Sequence, residues 1–65
     1  MKSYSPKEVI KILLQNGWKL DRTKGGHYIF NKEKQNNIVT VPIGKRIVPI
    51  GTLKNIEKQS GIKFK

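Results

Sequence analysis

Few side chains in this sequence can carry acid–base chemistry near neutral pH: one histidine, four carboxylates and no cysteine among 65 residues. The histidine, His27, follows a glycine pair in the stretch Lys24-Gly25-Gly26-His27-Tyr28-Ile29-Phe30. An unperturbed imidazole titrates near ~6.5, so this side-chain type serves as a general base without special tuning. Beside RNA it can take the proton of a ribose 2′-OH, whose oxygen then attacks the adjacent phosphorus. Lysine or arginine nearby would stabilise the charge that develops on the phosphate oxygens. Arg22, Lys24, Lys45 and Arg46 are the candidates, provided that the glycine turn and the segment after the third strand come together. Gly25 and Gly26 let a sugar–phosphate backbone approach closely, and their amides can donate to phosphate oxygens. The scheme calls for no metal and no other cofactor, and no Cys/His cluster is present to hold a structural zinc. A lone histidine beside a glycine turn is more often an ordinary surface residue, so the chemistry needs support from elsewhere in the chain.

Charge supplies part of it. Fourteen Lys and Arg stand against four Asp and Glu, a formal net charge of +10. Self-repulsion of that size opposes folding and favours a polyanionic or acidic partner. Nucleic acid is the first candidate, an acidic protein the second and an anionic membrane the third. No long apolar run and no signal-peptide pattern is present, so neither a membrane span nor secretion is expected. The lack of cysteine fits a cytoplasmic protein. Residues 1–65 are expected to form one domain with a modest core, for which a partner subunit is a natural source of added stability.

The elements that must position His27 follow from local signals. Ser5-Pro6-Lys7-Glu8 starts a helix: Ser5 caps, Pro6 suits the first turn, and Glu8 completes a capping box. Val9, Ile10, Ile12 and Leu13 give that helix, over 6–16, one apolar side, and Gly17 ends it in the left-handed region. Trp18-Lys19-Leu20-Asp21 alternates apolar and polar groups, as a half-buried strand over 18–23 would. The glycine pair makes a tight hairpin. His27 to Asn31 then forms a second strand, with Tyr28 and Phe30 on one face and His27 and Ile29 on the other. After a polar loop at 32–37, Ile38-Val39-Thr40-Val41 is β-branched throughout and reads as a third strand, stopped by Pro42.

Gly44-Lys45-Arg46 is turn-like and basic, with Ile47, Val48 and Ile50 apolar enough to tuck under the domain. A second helix starts near Pro49 or Ile50, buries Leu53 and Ile56, exposes Lys54 and Lys58, and closes at Ser60-Gly61. Ile62 and Phe64 are expected to pack back, and Lys65 to fray. The order α-β-β-β-α makes an α+β fold: a three-stranded antiparallel sheet with both helices on one face. The other face is left for water or a ligand. Trp18 or Tyr28, if turned outward, could stack on bases; for Trp18 a place in the core fits better.

Taken together, Pro6-Lys7-Glu8-Val9-Ile10-Lys11, Asn16-Gly17-Trp18, Lys24-Gly25-Gly26-His27-Tyr28-Ile29-Phe30, Val39-Thr40-Val41-Pro42 and Gly51-Thr52-Leu53-Lys54-Asn55-Ile56 resemble the HicA toxin family. Members of that family are small mRNA interferases of type II toxin–antitoxin systems, with a fold similar to double-stranded-RNA-binding domains. Their HicB antitoxins neutralise them by covering the active site. The resemblance implies that His27 is the catalytic histidine and Gly25 the motif glycine. Gly26 stands where Ser or Thr is usual. Many members carry a second histidine shortly after the Val-Pro, and Pro42-Ile43-Gly44-Lys45 has none, which leaves a lysine, water or another group as general acid. Three readings follow: a metal-independent endoribonuclease toxin acting on mRNA, a non-catalytic RNA-binding module on the same frame, and an interaction domain for an acidic protein.

Overall fold

The computed structural model describes residues 3–64. Five elements follow one another: α1 (Pro6–Gln15), β1 (Lys19–Lys24), β2 (His27–Asn31), β3 (Val39–Pro42) and α2 (Ile50–Ser60). The strands form one antiparallel sheet in the order β1-β2-β3.

Each helix starts and stops where its end residues require. The Ser5 hydroxyl accepts from the Glu8 amide at 3.2 Å, and the Glu8 carboxylate accepts from the Ser5 amide at 2.9 Å. Two amides that the first turn leaves unpaired are thereby satisfied, which fixes the N-terminus of α1. At the other end Asn16 caps the helix and Gly17 turns at φ +89°. α2 has Pro49 at its N-cap with no side-chain cap, and it closes on Gly61 at φ +76°.

The apolar stripes of both helices meet one side of the sheet. Val9 and Leu13 of α1 and Leu53 and Ile56 of α2 join Phe30, Val39 and Val41 in a single buried cluster. Cross-strand pairing puts Phe30 opposite Val39 and Tyr28 opposite Val41. Partners in register share a face, so these four residues turn together toward the helices. Trp18, 1% exposed, fills the corner between α1 and β1. The chain ends close the cluster: Tyr4 meets Phe64 edge-to-face with ring centroids 5.3 Å apart, and the Val48 amide donates to the Tyr4 carbonyl at 2.8 Å. The Glu57 carboxylate holds the returning tail by accepting the Phe64 amide at 2.7 Å.

Several sequence expectations need correction. β1 begins at Lys19, with Trp18 ahead of it, and none of its six residues is buried. Leu20 lies in register with Phe30 and so faces the helix side, but it is 51% exposed, because the helices make their main contacts with the sheet at β3, on the far side of β2. A β-bulge between Leu20 and Arg22 also breaks the simple alternation. Of the apolar residues after β3, Val48 is buried while Ile47 and Ile50 are 48% and 54% exposed. Ile38 precedes β3 and is exposed, and Pro42 is the last residue of that strand. Pro42 can end a strand because it occupies a position from which no amide need donate. Lys65, expected to fray, lies outside the described residues.

Candidate functional site

His27 is the first residue of β2, immediately after the two-residue turn Gly25-Gly26. Both glycines have positive φ, +53° and +82°, the requirement of the tight hairpin turns whose twist matches that of the strands. A Cβ at either position would meet nothing within 4 Å. The turn therefore stands clear of the body of the protein, and a ligand backbone can come directly against it.

The imidazole is exposed, with Nδ1 3.2 Å from the carbonyl oxygen of Gly25. A carbonyl oxygen can only accept, so this contact is a hydrogen bond when Nδ1 carries the proton. In that tautomer the lone pair sits on Nε2, and the turn that presents the histidine also orients its ring.

The segment after β3 is joined to the same turn. The Ile43 amide donates to the Gly26 carbonyl at 2.8 Å, continuing the pairing of β2 with β3 one step past His27 and Pro42. Gly44, at φ +81°, then turns the chain, and Lys45 and Arg46 follow, both exposed. The condition set by the sequence, that the glycine turn and the post-strand segment come together, is met at the backbone.

Register defines what else shares the face of His27. Lys24, His27 and Pro42 lie in one cross-strand row, and Arg22, Ile29 and Thr40 in the next. This is the side of the sheet away from the helices. Ile29 is buried there, 7% exposed, although it takes no part in the core cluster. Lys24 and Arg22 thus flank the histidine strand, with the Arg22 guanidinium also bonded to the Asp21 carboxylate. Pro42, Ile29 and Thr40 were not singled out as site residues from the sequence. Their place on this face follows from strand alternation combined with hairpin pairing, a signal that was available once β2 and β3 were paired.

The condition for aromatic stacking, a ring turned outward, is not met on this face, and Trp18 takes the core position that fitted it better. Tyr28 turns to the helix side, partly buried against the core cluster. Neither ring is available for base stacking beside His27. A shallow depression of about 400 Å³, lined by Lys54, Glu57, Lys58, Gly61, Ile62 and Lys63, lies along the C-terminal half of α2 and shares no residue with the His27 face. No helix among the described residues is long and apolar enough to cross a membrane.

These features define a class: a small, strongly basic α+β domain that presents one histidine on a glycine hairpin beside a cationic edge strand. The family described as the HicA toxin of bacterial toxin–antitoxin systems matches residues 6–62, all five secondary-structure elements included. This chain belongs to the HicA toxin family. No curated protein matches it closely. Membership makes it the toxin member of a toxin–antitoxin pair and implies an antitoxin as its partner.

Proposed function

We propose that this HicA-family toxin is a metal-independent endoribonuclease that cleaves mRNA in the cytoplasm, with His27 as its general base. The observation that carries the reading is the joint at the hairpin. The Gly25 carbonyl meets His27 Nδ1 at 3.2 Å, and the Gly26 carbonyl holds the Ile43 amide at 2.8 Å, just ahead of Lys45 and Arg46. One turn thereby orients the base and anchors the basic segment.

In this scheme Nε2 accepts the proton of a ribose 2′-OH, and the 2′ oxygen forms a bond to the adjacent phosphorus. The bond from phosphorus to the 5′ oxygen breaks, and that oxygen takes a proton from a lysine or from water. The products are a 2′,3′-cyclic phosphate and a 5′-hydroxyl end. Lys24, Lys45 and Arg46 neutralise the phosphate oxygens, Arg22 adds a fourth cation, and the amides of Gly25 and Gly26 are within the reach of a backbone lying along the turn. An antitoxin of the HicB type that covers this face would block all of these contacts at once.

The test is cleavage of a mixed mRNA pool in EDTA by partner-free protein, beside its His27→Ala variant. Loss of a positioned general base costs roughly 10²- to 10⁴-fold in rate. The variant should therefore leave full-length RNA in place while retaining its affinity. Equal cleavage by both proteins would remove His27 from the mechanism. RNA binding without cleavage by either would make the chain a binding module.

A further inference from the structure

The two edges of the sheet are finished differently. At β3 the Thr40 amide, pointing away from β2, lies 3.4 Å from the Gln59 side-chain oxygen, and the Asn37 side chain bonds to the Gln59 carbonyl. α2 therefore closes that edge. β1 forms the other edge, and all six of its residues are exposed.

The direction of its backbone groups follows from the register. The bond from the Ile43 amide to the Gly26 carbonyl makes His27 and Pro42 a pair without mutual hydrogen bonds, so the next pair, Tyr28 and Val41, exchanges them. Tyr28 thus spends its amide and carbonyl on β3. Thr23, in register with Tyr28 on the opposite side, has its own amide and carbonyl turned outward, away from the sheet.

We propose that β1 is a docking edge that accepts an extended acidic segment of the antitoxin as a fourth strand, hydrogen-bonded to Thr23. The inference rests on family membership, which implies an antitoxin, and not on RNA cleavage. Its specificity is legible in the side chains. Lys19, Arg22 and Lys24 are in register with Asn31, Ile29 and His27 and so lie on the open face, while Leu20 and Thr23 lie on the helix side. Leu20 is half exposed there. A strand laid alongside matches this edge when its residues alternate acidic on the open face and apolar on the helix side. A second copy of this chain does not match. Antiparallel pairing of β1 with itself would set Arg22 and Lys24 against the same cations, and like charges in register are destabilising. Lysines and a bulge on an exposed edge also discourage self-association. An acidic strand here would engage Arg22 and Lys24, two of the cations beside His27, without entering the glycine turn.

The experiment uses the full chain, isotope-labelled, with a capped synthetic peptide alternating glutamate and valine as the probe. A block peptide of the same composition is the control. Saturating alternating peptide should slow exchange of the Thr23 amide by about tenfold or more, as a newly formed main-chain hydrogen bond does, and leave Thr40 unchanged. Thr23→Pro removes the outward amide without touching the pairing to β2, and it should weaken peptide binding by about tenfold. Leu20→Lys, at an exposed position, should weaken binding while leaving the fold intact, which guards against a misfolded proline variant. Several results would overturn the proposal. These are no binding, no protection at Thr23, equal binding of the block peptide, or shifts confined to Lys54, Lys58 and Lys63. Protection of Thr23 by RNA, or by the chain itself at rising concentration, would also overturn it. His27→Ala should bind the peptide normally, so a failed cleavage assay and a failed docking assay are separate results.

Discussion

The two outer strands of this sheet, six residues in β1 and four in β3, have opposite fates. β3 is Val-Thr-Val-Pro, with Val39 and Val41 fully buried beneath both helices and its free edge closed by Gln59. β1 is Lys-Leu-Asp-Arg-Thr-Lys, exposed along its whole length and paired to β2 alone among the strands. One sheet in so small a protein cannot be covered everywhere. The helices cover the strand whose side chains return the most free energy on burial and leave the strand whose cations are better solvated. The difference divides the fold: the β3 side carries buried core, and the β1 side, with the hairpin it shares with His27, is left exposed.

The largest test of that division is a pair of truncations. Phe30→Ala removes a ring that is 1% exposed and packed in the cluster, and it should cost about 3–5 kcal/mol, enough to unfold much of a domain this small. Leu20→Ala, in register with it on β1, should change stability by no more than about 0.5 kcal/mol. Urea denaturation of the two variants measures both values. A comparable loss for Leu20→Ala would mean that β1 is part of the core and that the two edges are not so different.

A smaller effect is expected at the hairpin. Gly26 sits at φ +82° with open space around its missing Cβ, so Gly26→Ala meets no clash and carries only the backbone penalty. That penalty is about 1 kcal/mol for a non-glycine residue in the left-handed region. The family habit of Ser or Thr at this position makes Gly26→Ser the informative companion. A hydroxyl here regains something only if it finds a partner on the turn or on a bound phosphate. The prediction is a loss of about 1 kcal/mol in urea for Ala, with Ser no more stable than Ala in the free protein.

How much of this was legible in the sequence depended on the range of the interaction. The capping box at Ser5 and Glu8, the stop at Gly17, the glycine hairpin, and the buried stripe of Leu53 and Ile56 are all decided within a few residues, and the structure has each of them. The faces of β2 followed from alternation alone. What alternation could not reveal was whether a face would be covered. Leu20, Ile47 and Ile50 are apolar and were expected inside, yet coverage is set by where two helices of ten and eleven residues happen to reach. The candidate site is divided in the same way. His27 and its turn are local, but the joining of the Ile43 segment to that turn, ahead of Lys45 and Arg46, depends on a register between β2 and β3 that no short window contains.

The finest test makes one edge resemble the other. Thr40 and Thr23 occupy equivalent places on opposite edges, each in register with a β2 residue whose backbone groups point elsewhere. They differ in what stands outside: a glutamine side chain at 3.4 Å for Thr40, and no further strand among the described residues for Thr23. Gln59→Ala deletes that acceptor but keeps the Gln59 backbone carbonyl that Asn37 uses. A single long hydrogen bond at a partly buried site contributes about 0.5–1 kcal/mol, so the change in global stability should be small. The local change should be clear. Exchange of the Thr40 amide should accelerate toward that of Thr23, and the alternating acidic peptide should still prefer β1, because β3 offers Val39 and Val41 to the helices and no row of cations to the open face. Peptide protection appearing at Thr40 in this variant would show that an open edge alone selects the ligand. Its absence would show that selection lies in Arg22 and Lys24.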